Sequence, residues 1–199
     1  MSKILVTGAS GNLGRKTLLQ LLKKNPPSKL AAFVRDPDKA KDLAGLGIEV
    51  RKGDYFDPES LKRGFKDVEK LMLISTHAFT DRRKAHANAI NAAVDAGIKH
   101  VVYMPIIRKA NSSFVLQEVT EEDKFTEKLL MSSGLVYTLA KHPPFLDVIG
   151  NTIGMNAAET GVRIRQLREP SWSSRRAGGL SPFLQSWLPR HPEIGRAHV

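Results

Sequence analysis

Three glycines at positions 8, 11 and 14 form the chemical pattern that stands out in the chain, and they directly follow an apolar run, Lys3-Ile-Leu-Val-Thr7. Each glycine in Gly8-Ala-Ser-Gly11-Asn-Leu-Gly14 has its own physical reason. One at 8 allows a tight turn out of a strand, and one at 11 lets backbone approach a phosphate. One at 14 lets the following helix pack closely on the strand. The N–H groups and positive dipole end at the start of that helix then face the anion. The pattern predicts a dinucleotide pyrophosphate site built from Gly8, Ser10, Gly11, Asn12, Leu13 and Gly14. The helix continues through Arg15-Lys16-Thr17-Leu18-Leu19-Gln20-Leu21-Leu22 with helical apolar spacing.

Further residues able to recognise a nucleotide stand at the ends of later apolar runs. Arg35 follows Leu30-Ala-Ala-Phe-Val34. An acidic residue there would accept the 2′-hydroxyl of NAD, whereas a guanidinium pairs with the 2′-phosphate of NADP, so NADP(H) is the expected cofactor ahead of NAD. Asp54 and Tyr55 follow Ile48-Glu-Val-Arg-Lys52; the carboxylate can accept from an adenine amino group, or it can cap the next turn. Ser75, Thr76 and His77 end Lys70-Leu-Met-Leu-Ile74, where small polar groups commonly line the inner ribose, and His77 could titrate near neutrality. The spacing Tyr, three residues, Lys occurs at Tyr137 and Lys141, but Tyr137 falls in a strand-like run and the match is read as coincidence.

These positions need a scaffold that brings strand ends together, and the rest of the pattern supplies one. Apolar runs at 3–7, 30–34, 48–52, 70–75, 100–104 and 135–139 read as strands. Between them lie helices: one after Gly14, a short one from Pro37 to about Ala44, and one opened by Asp57-Pro58. A long one follows over 81–96, with Ala85, Ala89, Ala92, Ala93 and Ala96 as its packing face, and the last runs from Thr120 to Ser132. Strand–helix alternation with short connections predicts an α/β doubly wound parallel sheet, Rossmann-like, whose ligand lies outside the carboxyl ends of the strands.

At 199 residues one domain with a substantial core is expected. The start, Met-Ser-Lys, is not a signal peptide, no apolar run is long enough to span a bilayer, and the cytoplasm is the default compartment. There is no cysteine, which excludes disulfides, thiolate catalysis and Cys-based zinc sites, and no metal site is expected. The net charge of +11 suggests nucleic acid until it is located: residues 163–199 hold seven arginines, two glutamates and no lysine, and the remainder shows no contiguous basic stripe. No nucleic-acid partner is expected. Composition therefore divides the chain into a nucleotide-binding domain over 1–162 and a segment 163–199. In that segment, Glu193-Ile-Gly-Arg-Ala-His-Val199 can be encoded by a string resembling a short-read sequencing adapter. The lysine-free stretch before it has the character of a GC-rich gene read out of frame, which would make this tail an artefact; a natural terminus is the alternative.

Taken in order, Thr7-Gly-Ala-Ser-Gly-Asn-Leu-Gly14, Val34-Arg-Asp, Gly53-Asp-Tyr55, Ala96-Gly-Ile-Lys-His-Val101, Thr126-Glu127 and Ser133-Gly-Leu-Val-Tyr-Thr138 resemble the NmrA-like atypical short-chain dehydrogenases, and among them the NADP(H) quinone oxidoreductase and triphenylmethane reductase type. The resemblance covers residues 1 to about 162, with Trp172-Ser-Ser-Arg175 a possible remnant of the family's second lobe. It implies NADP(H) on the N-terminal lobe and a small-molecule acceptor held against a smaller C-terminal lobe, largely missing here. Relatives often carry His or Lys three residues before the Thr-Glu pair, where this chain has Asp123 beside Lys124. After the sixth strand many read Leu-Arg-Asn, where this chain reads Ala140-Lys-His-Pro-Pro144. Lys124 and His142 are thus the candidates for a catalytic role, with Met104, Pro105, His142 and Phe145 as substrate contacts. Expected is hydride transfer from NADPH to a quinone or similar conjugated acceptor, the alternative being an NmrA-like sensor that binds NADP without turnover. A chain lacking its second lobe is expected to be poorly active and prone to aggregate.

Overall fold

Six parallel strands pair in the order β3-β2-β1-β4-β5-β6: β1 Lys3–Thr7, β2 Leu30–Val34, β3 Glu49–Lys52, β4 Val68–Leu73, β5 His100–Tyr103 and β6 Val136–Leu139. The computed structural model describes residues 3–76, 80–108 and 117–143. His77, Phe145, the boundary at 162 and the whole of 163–199 lie outside the described residues. The helices are α1 Asn12–Leu22, α2 Lys41–Gly45, α3 Pro58–Gly64, α4 Arg82–Asp95 and α5 Gln117–Ser132. The strand order reverses between β1 and β4, which makes their carboxyl ends the switch point of a doubly wound sheet.

Alternation along β1 separates the two apolar layers. Ile4 and Val6 face one side with Leu18 and Leu21 of α1 and Leu43 of α2. Leu5 faces the other, with Leu61 of α3, Ala89, Ile90 and Ala93 of α4, and Leu130 of α5. A strand buried on both faces has to be apolar at every position, which is why β2 reads Leu-Ala-Ala-Phe-Val without a polar break. Each fully buried Leu contributes about 1.5–3 kcal/mol.

The expected elements are present with four shifts. Helix α1 starts at Asn12, because Gly11 is already extended (φ −82°, ψ 169°) and its carbonyl accepts from Arg15 N–H at 3.0 Å, which places Gly14 inside the helix. The stretch 37–45 divides into a 3₁₀ turn, Pro37–Ala40, capped by the Asp36 carboxylate, and then α2. Strand β4 runs from Val68 to Leu73, so Ser75 and Thr76 stand beyond it. Helix α5 begins at Gln117, three residues before Thr120. On α4 the helical period buries Ala85, Ala89 and Ala93, while Ala96 falls one residue past the helix end and is exposed; the helix also buries two polar residues the alanine pattern passed over, Arg82 and His86.

Candidate functional site

A cleft of about 240 Å³ opens at the carboxyl ends of β1 to β4. Gly8, Ser10 and Gly11 form its floor, Val34 and Arg35 one rim, Gly53 to Phe56 one wall, and Ile74 to Thr76 with Thr80 the other. The sequence placed Gly8, Ser10, Gly11, Arg35, Asp54, Tyr55, Ser75 and Thr76 at a shared site, and the fold brings these eight together. Asn12, Leu13 and Gly14 do not line the cleft; they form the first turn of α1 behind the floor.

The floor owes its shape to glycine. Gly8 adopts φ +58°, a conformation that strains other residues, and its carbonyl turns to accept from Gly11 N–H at 3.0 Å. A Cβ on Gly14 would stand 2.5 Å from the Gly8 carbonyl oxygen, so only glycine lets α1 come this close. The N-termini of α3 and α4 are capped by the carboxylates of Asp57 and Asp81. Gly11, at the N-cap of α1, has no side chain to offer, and no acidic residue occupies the first turn. With no side-chain cap from Gly11 and no acidic first turn, the positive end of the α1 dipole is directed at the cleft floor, which fits a dinucleotide pyrophosphate.

Arg35 is exposed at the rim, one residue past β2. The other guanidinium near the glycine loop, Arg15, is engaged with the Asp42 carboxylate and the Lys39 carbonyl. Its contact holds the Asp42 carboxyl below the usual carboxylate range. On the β3 wall, Asp54 takes the capping role: its Oδ1 accepts from Phe56 N–H at 2.9 Å while the residue lines the cleft. Tyr55 donates its hydroxyl to the Ile74 carbonyl at 2.8 Å, and burial pushes its phenol above the ordinary value. It therefore spans the cleft base as structure, with its one proton already placed.

The wall after β4 is held from behind. Thr7 Oγ1 donates to the Met72 carbonyl at 3.0 Å and accepts from Ile74 N–H at 2.8 Å. Thr76 N–H points to His86 Nε2 at 3.4 Å, and the Thr76 carbonyl accepts from Arg82 Nη2 at 3.1 Å. Ser75 Oγ donates to the Tyr103 hydroxyl at 3.4 Å, and Tyr103 donates to Asp123 Oδ1 at 2.6 Å. Burial, and next the Asp123 charge, raise the Tyr103 phenol. Asp123 also accepts from Ile106 N–H at 2.8 Å and lies 3.6 Å from Arg82 Nη1.

Met104, Pro105 and His142 are brought together beyond β5 and β6, outside that cleft. His142 N–H donates to the Pro105 carbonyl at 3.1 Å, Ile107 N–H donates to the His142 carbonyl at 2.8 Å, and the His142 ring nitrogens face the carbonyls of Pro143 at 2.7 Å and Met104 at 3.3 Å. Lys124 is not part of that group: it is half-exposed on α5 in an ion pair with Glu121 at 2.7 Å. Beside it Asp123 turns inward, as the helical period requires of adjacent residues. The sequence reading missed Phe33, Val34, Gly53, Phe56, Ile74 and Thr80 as lining residues, together with the buried set of Arg82, His86 and Asp123. Phe33 had one legible trace. Cβ atoms on Gly53 and Gly64 would each come within 2.3 Å of its ring, so both glycines make room for it.

The NAD(P)H-binding family matches this chain over residues 8–168, and the chain belongs to that family. It is 42% identical to quinone oxidoreductase 2 of Escherichia coli K12 over 139 residues, which is 70% of this chain and 48% of that protein. It is 33% identical to an NmrA-like family domain-containing oxidoreductase of Aspergillus flavus over 151 residues, 73% of this chain and 48% of that protein. Triphenylmethane reductase of Citrobacter sp., solved in complex with NADP(H), superposes with a TM-score of 0.70 at 34% identity, covering 80% of this chain and 55% of that one. The resemblance read from the motifs is thus matched, and the chain spans about half the length of the relatives it matches. No helix among the described residues is long and apolar enough to cross a membrane.

Proposed function

We propose that this chain forms the NADP(H)-binding part of a reductase that transfers hydride from NADPH to a quinone or a comparable conjugated acceptor. The observation that carries the reading is the glycine floor at the N-terminus of α1, where Gly11 gives no side-chain cap, with Arg35 exposed on the adenosine-side rim. The names of the relatives, a quinone oxidoreductase and a triphenylmethane reductase, support the choice of acceptor class.

When bound, NADPH would supply a hydride from its nicotinamide ring. The chain's own residues do the holding. Gly8, Ser10 and Gly11 admit the pyrophosphate to the first N–H groups of α1, and Arg35 pairs with the 2′-phosphate. Asp54 and Tyr55 wall the adenosine half, while Ser75 and Thr76 line the inner ribose. His142, which faces the Met104 carbonyl, is the candidate for meeting the acceptor, and Lys124, tied to Glu121, is the weaker of the two catalytic candidates. Hydride transfer to a conjugated acceptor needs chiefly orientation and a dry approach, so a dedicated acid is not required.

Calorimetric titration of the full chain with NADPH and NADH, alongside Arg35→Ala, tests the cofactor reading. NADPH should bind more tightly than NADH, and the variant should lose that preference. Equal affinity for both in the unaltered chain would refute the role of Arg35. Quinone-dependent oxidation of NADPH then tests turnover; oxidation that saturates with the quinone would favour a reductase over a sensor.

A further inference from the structure

The loop after β4 has no strand partner at Thr76, yet both backbone polar groups of that residue are engaged from α4, the N–H by His86 and the carbonyl by Arg82. His86 is fully buried. Burial, reinforced by the Arg82 charge, lowers its pKa to about 3, so the ring is neutral at pH 7. Hydrogen-bond direction then fixes the tautomer. Thr76 N–H can only donate, so Nε2 is the bare nitrogen and Nδ1 carries the proton. Nδ1 stands 2.8 Å from Thr126 Oγ1, and that hydroxyl in turn donates to the Glu122 carbonyl at 3.0 Å. The three donors of this relay, Thr76 N–H, His86 Nδ1–H and the Thr126 hydroxyl, each meet an acceptor. Arg82 completes a second arm through Asp123, whose other oxygen holds Ile106 N–H on the segment leaving β5.

We propose that His86 is a positioning residue for the nicotinamide half of the cofactor: by holding the Thr76 amide it fixes the wall formed by Ser75 and Thr76, while none of its hydrogen bonds goes to a residue of the adenosine half. The inference rests on the NADP(H) reading above. Residues that line the adenosine half, Arg35, Asp54 and Tyr55, follow β2 and β3; His86 reaches that half only through an edge contact of its ring with Tyr55, centroids 6.4 Å apart, while its hydrogen bond toward the cleft goes to the loop of β4. A defect in His86 is therefore selective along the length of the ligand. A general loss of fold would not be.

The test is calorimetry on the full chain with two probes, NADPH and its adenosine-half fragment 2′,5′-ADP. His86→Leu should weaken NADPH by about five- to tenfold, the effect of one lost ordering hydrogen bond, and leave the fragment's affinity within twofold. His86→Gln, whose side-chain carbonyl can accept from Thr76 N–H, should recover most of the loss. Arg35→Ala should weaken both probes. Equal loss of both probes in His86→Leu, or no loss of either, would overturn the proposal. Failure of the unaltered chain to bind either probe would overturn the cofactor reading instead. Should His86→Leu not fold, hydrogen exchange at the Thr76 amide in the unaltered chain decides: slow exchange supports the anchor, and exchange at the rate of an exposed loop amide refutes it.

Discussion

Replacing Gly14 by Ala is the sharpest perturbation the structure offers, since it adds one methyl group where only backbone surrounds it. An ideal Cβ would lie 2.5 Å from the Gly8 carbonyl oxygen, 2.8 Å from Ala9 Cα and 2.9 Å from the Gly8 carbonyl carbon. Non-bonded carbons rest about 3.5–4.0 Å apart, so α1 must withdraw from the β1 turn by roughly 1 Å. None of the three contacts is the end of a flexible side chain that could swing away. Overpacking of this kind costs about 1–3 kcal/mol. Alanine's higher helix propensity offsets about 1 kcal/mol of that, leaving a net loss of up to about 2 kcal/mol. The same withdrawal moves the leading N–H groups of α1 away from the cleft floor, and NADPH affinity should fall by at least about tenfold, given how steeply charge-assisted contacts depend on placement. Gly45→Ala is the control, because a Cβ there meets nothing within 4 Å. That variant should be as stable as the parent, or more so by about 0.4–1 kcal/mol. Urea unfolding measures the first effect and calorimetry the second. A Gly14→Ala chain with unchanged midpoint and unchanged NADPH affinity would refute the close-packing argument.

Three further outcomes are expected. Lowering the pH from 7.5 to 5 should destabilise the fold by about 2 kcal/mol through His86 alone: its folded pKa of about 3 lies below the ordinary 6.5, so stability is complete above 6.5 and is lost as the unfolded chain takes up the proton below it. Urea midpoints across that range should slope, and the slope should flatten in His86→Gln; His100, whose pKa burial also lowers, adds a residual slope of the same sign. Gly64→Ala should cost about 1–3 kcal/mol because its Cβ meets the Phe33 ring at 2.3 Å, and Phe33→Leu in the same chain should recover part of that cost, a coupling that a double-mutant cycle of melting midpoints measures directly. Asp57→Ala removes the cap that accepts from Glu59 and Ser60 N–H at 3.1 and 3.2 Å and should cost about 0.5–2 kcal/mol by urea unfolding, with no change in NADPH affinity.

The glycine floor was legible because it is local. Gly8, Gly11 and Gly14 act on neighbours within one turn, and their spacing alone states the need for a tight bend, an open floor and a close helix. Arg35, Asp54, Ser75 and Thr76 were legible for a related reason: parallel strands bring their carboxyl ends to one edge, so a residue just past an apolar run is at that edge whatever the packing. Element boundaries were less so. They depend on which N–H and carbonyl groups find partners, as where Gly11 took up the cap and moved the start of α1 to Asn12.

The buried polar set could not be read in the same way. Arg82 and His86 sit in a sequence, Asp81-Arg-Arg-Lys-Ala-His86, whose charge suggests a solvated helix face, and Asp123 stands in Glu121-Glu-Asp-Lys124, which looks equally exposed. What buries one residue and exposes the next is the rotation of α4 and α5 against the sheet, and that is fixed only when Ala85, Ala89 and Leu130 enter the core. Sequence by itself therefore determined the parallel sheet, the residues at its strand ends and the glycine floor, because apolar period and glycine geometry are properties of neighbouring residues. Tertiary structure alone decided which polar side chains stand behind the floor, because a buried Arg, His or Asp is stable only where partners from distant elements complete its hydrogen bonds.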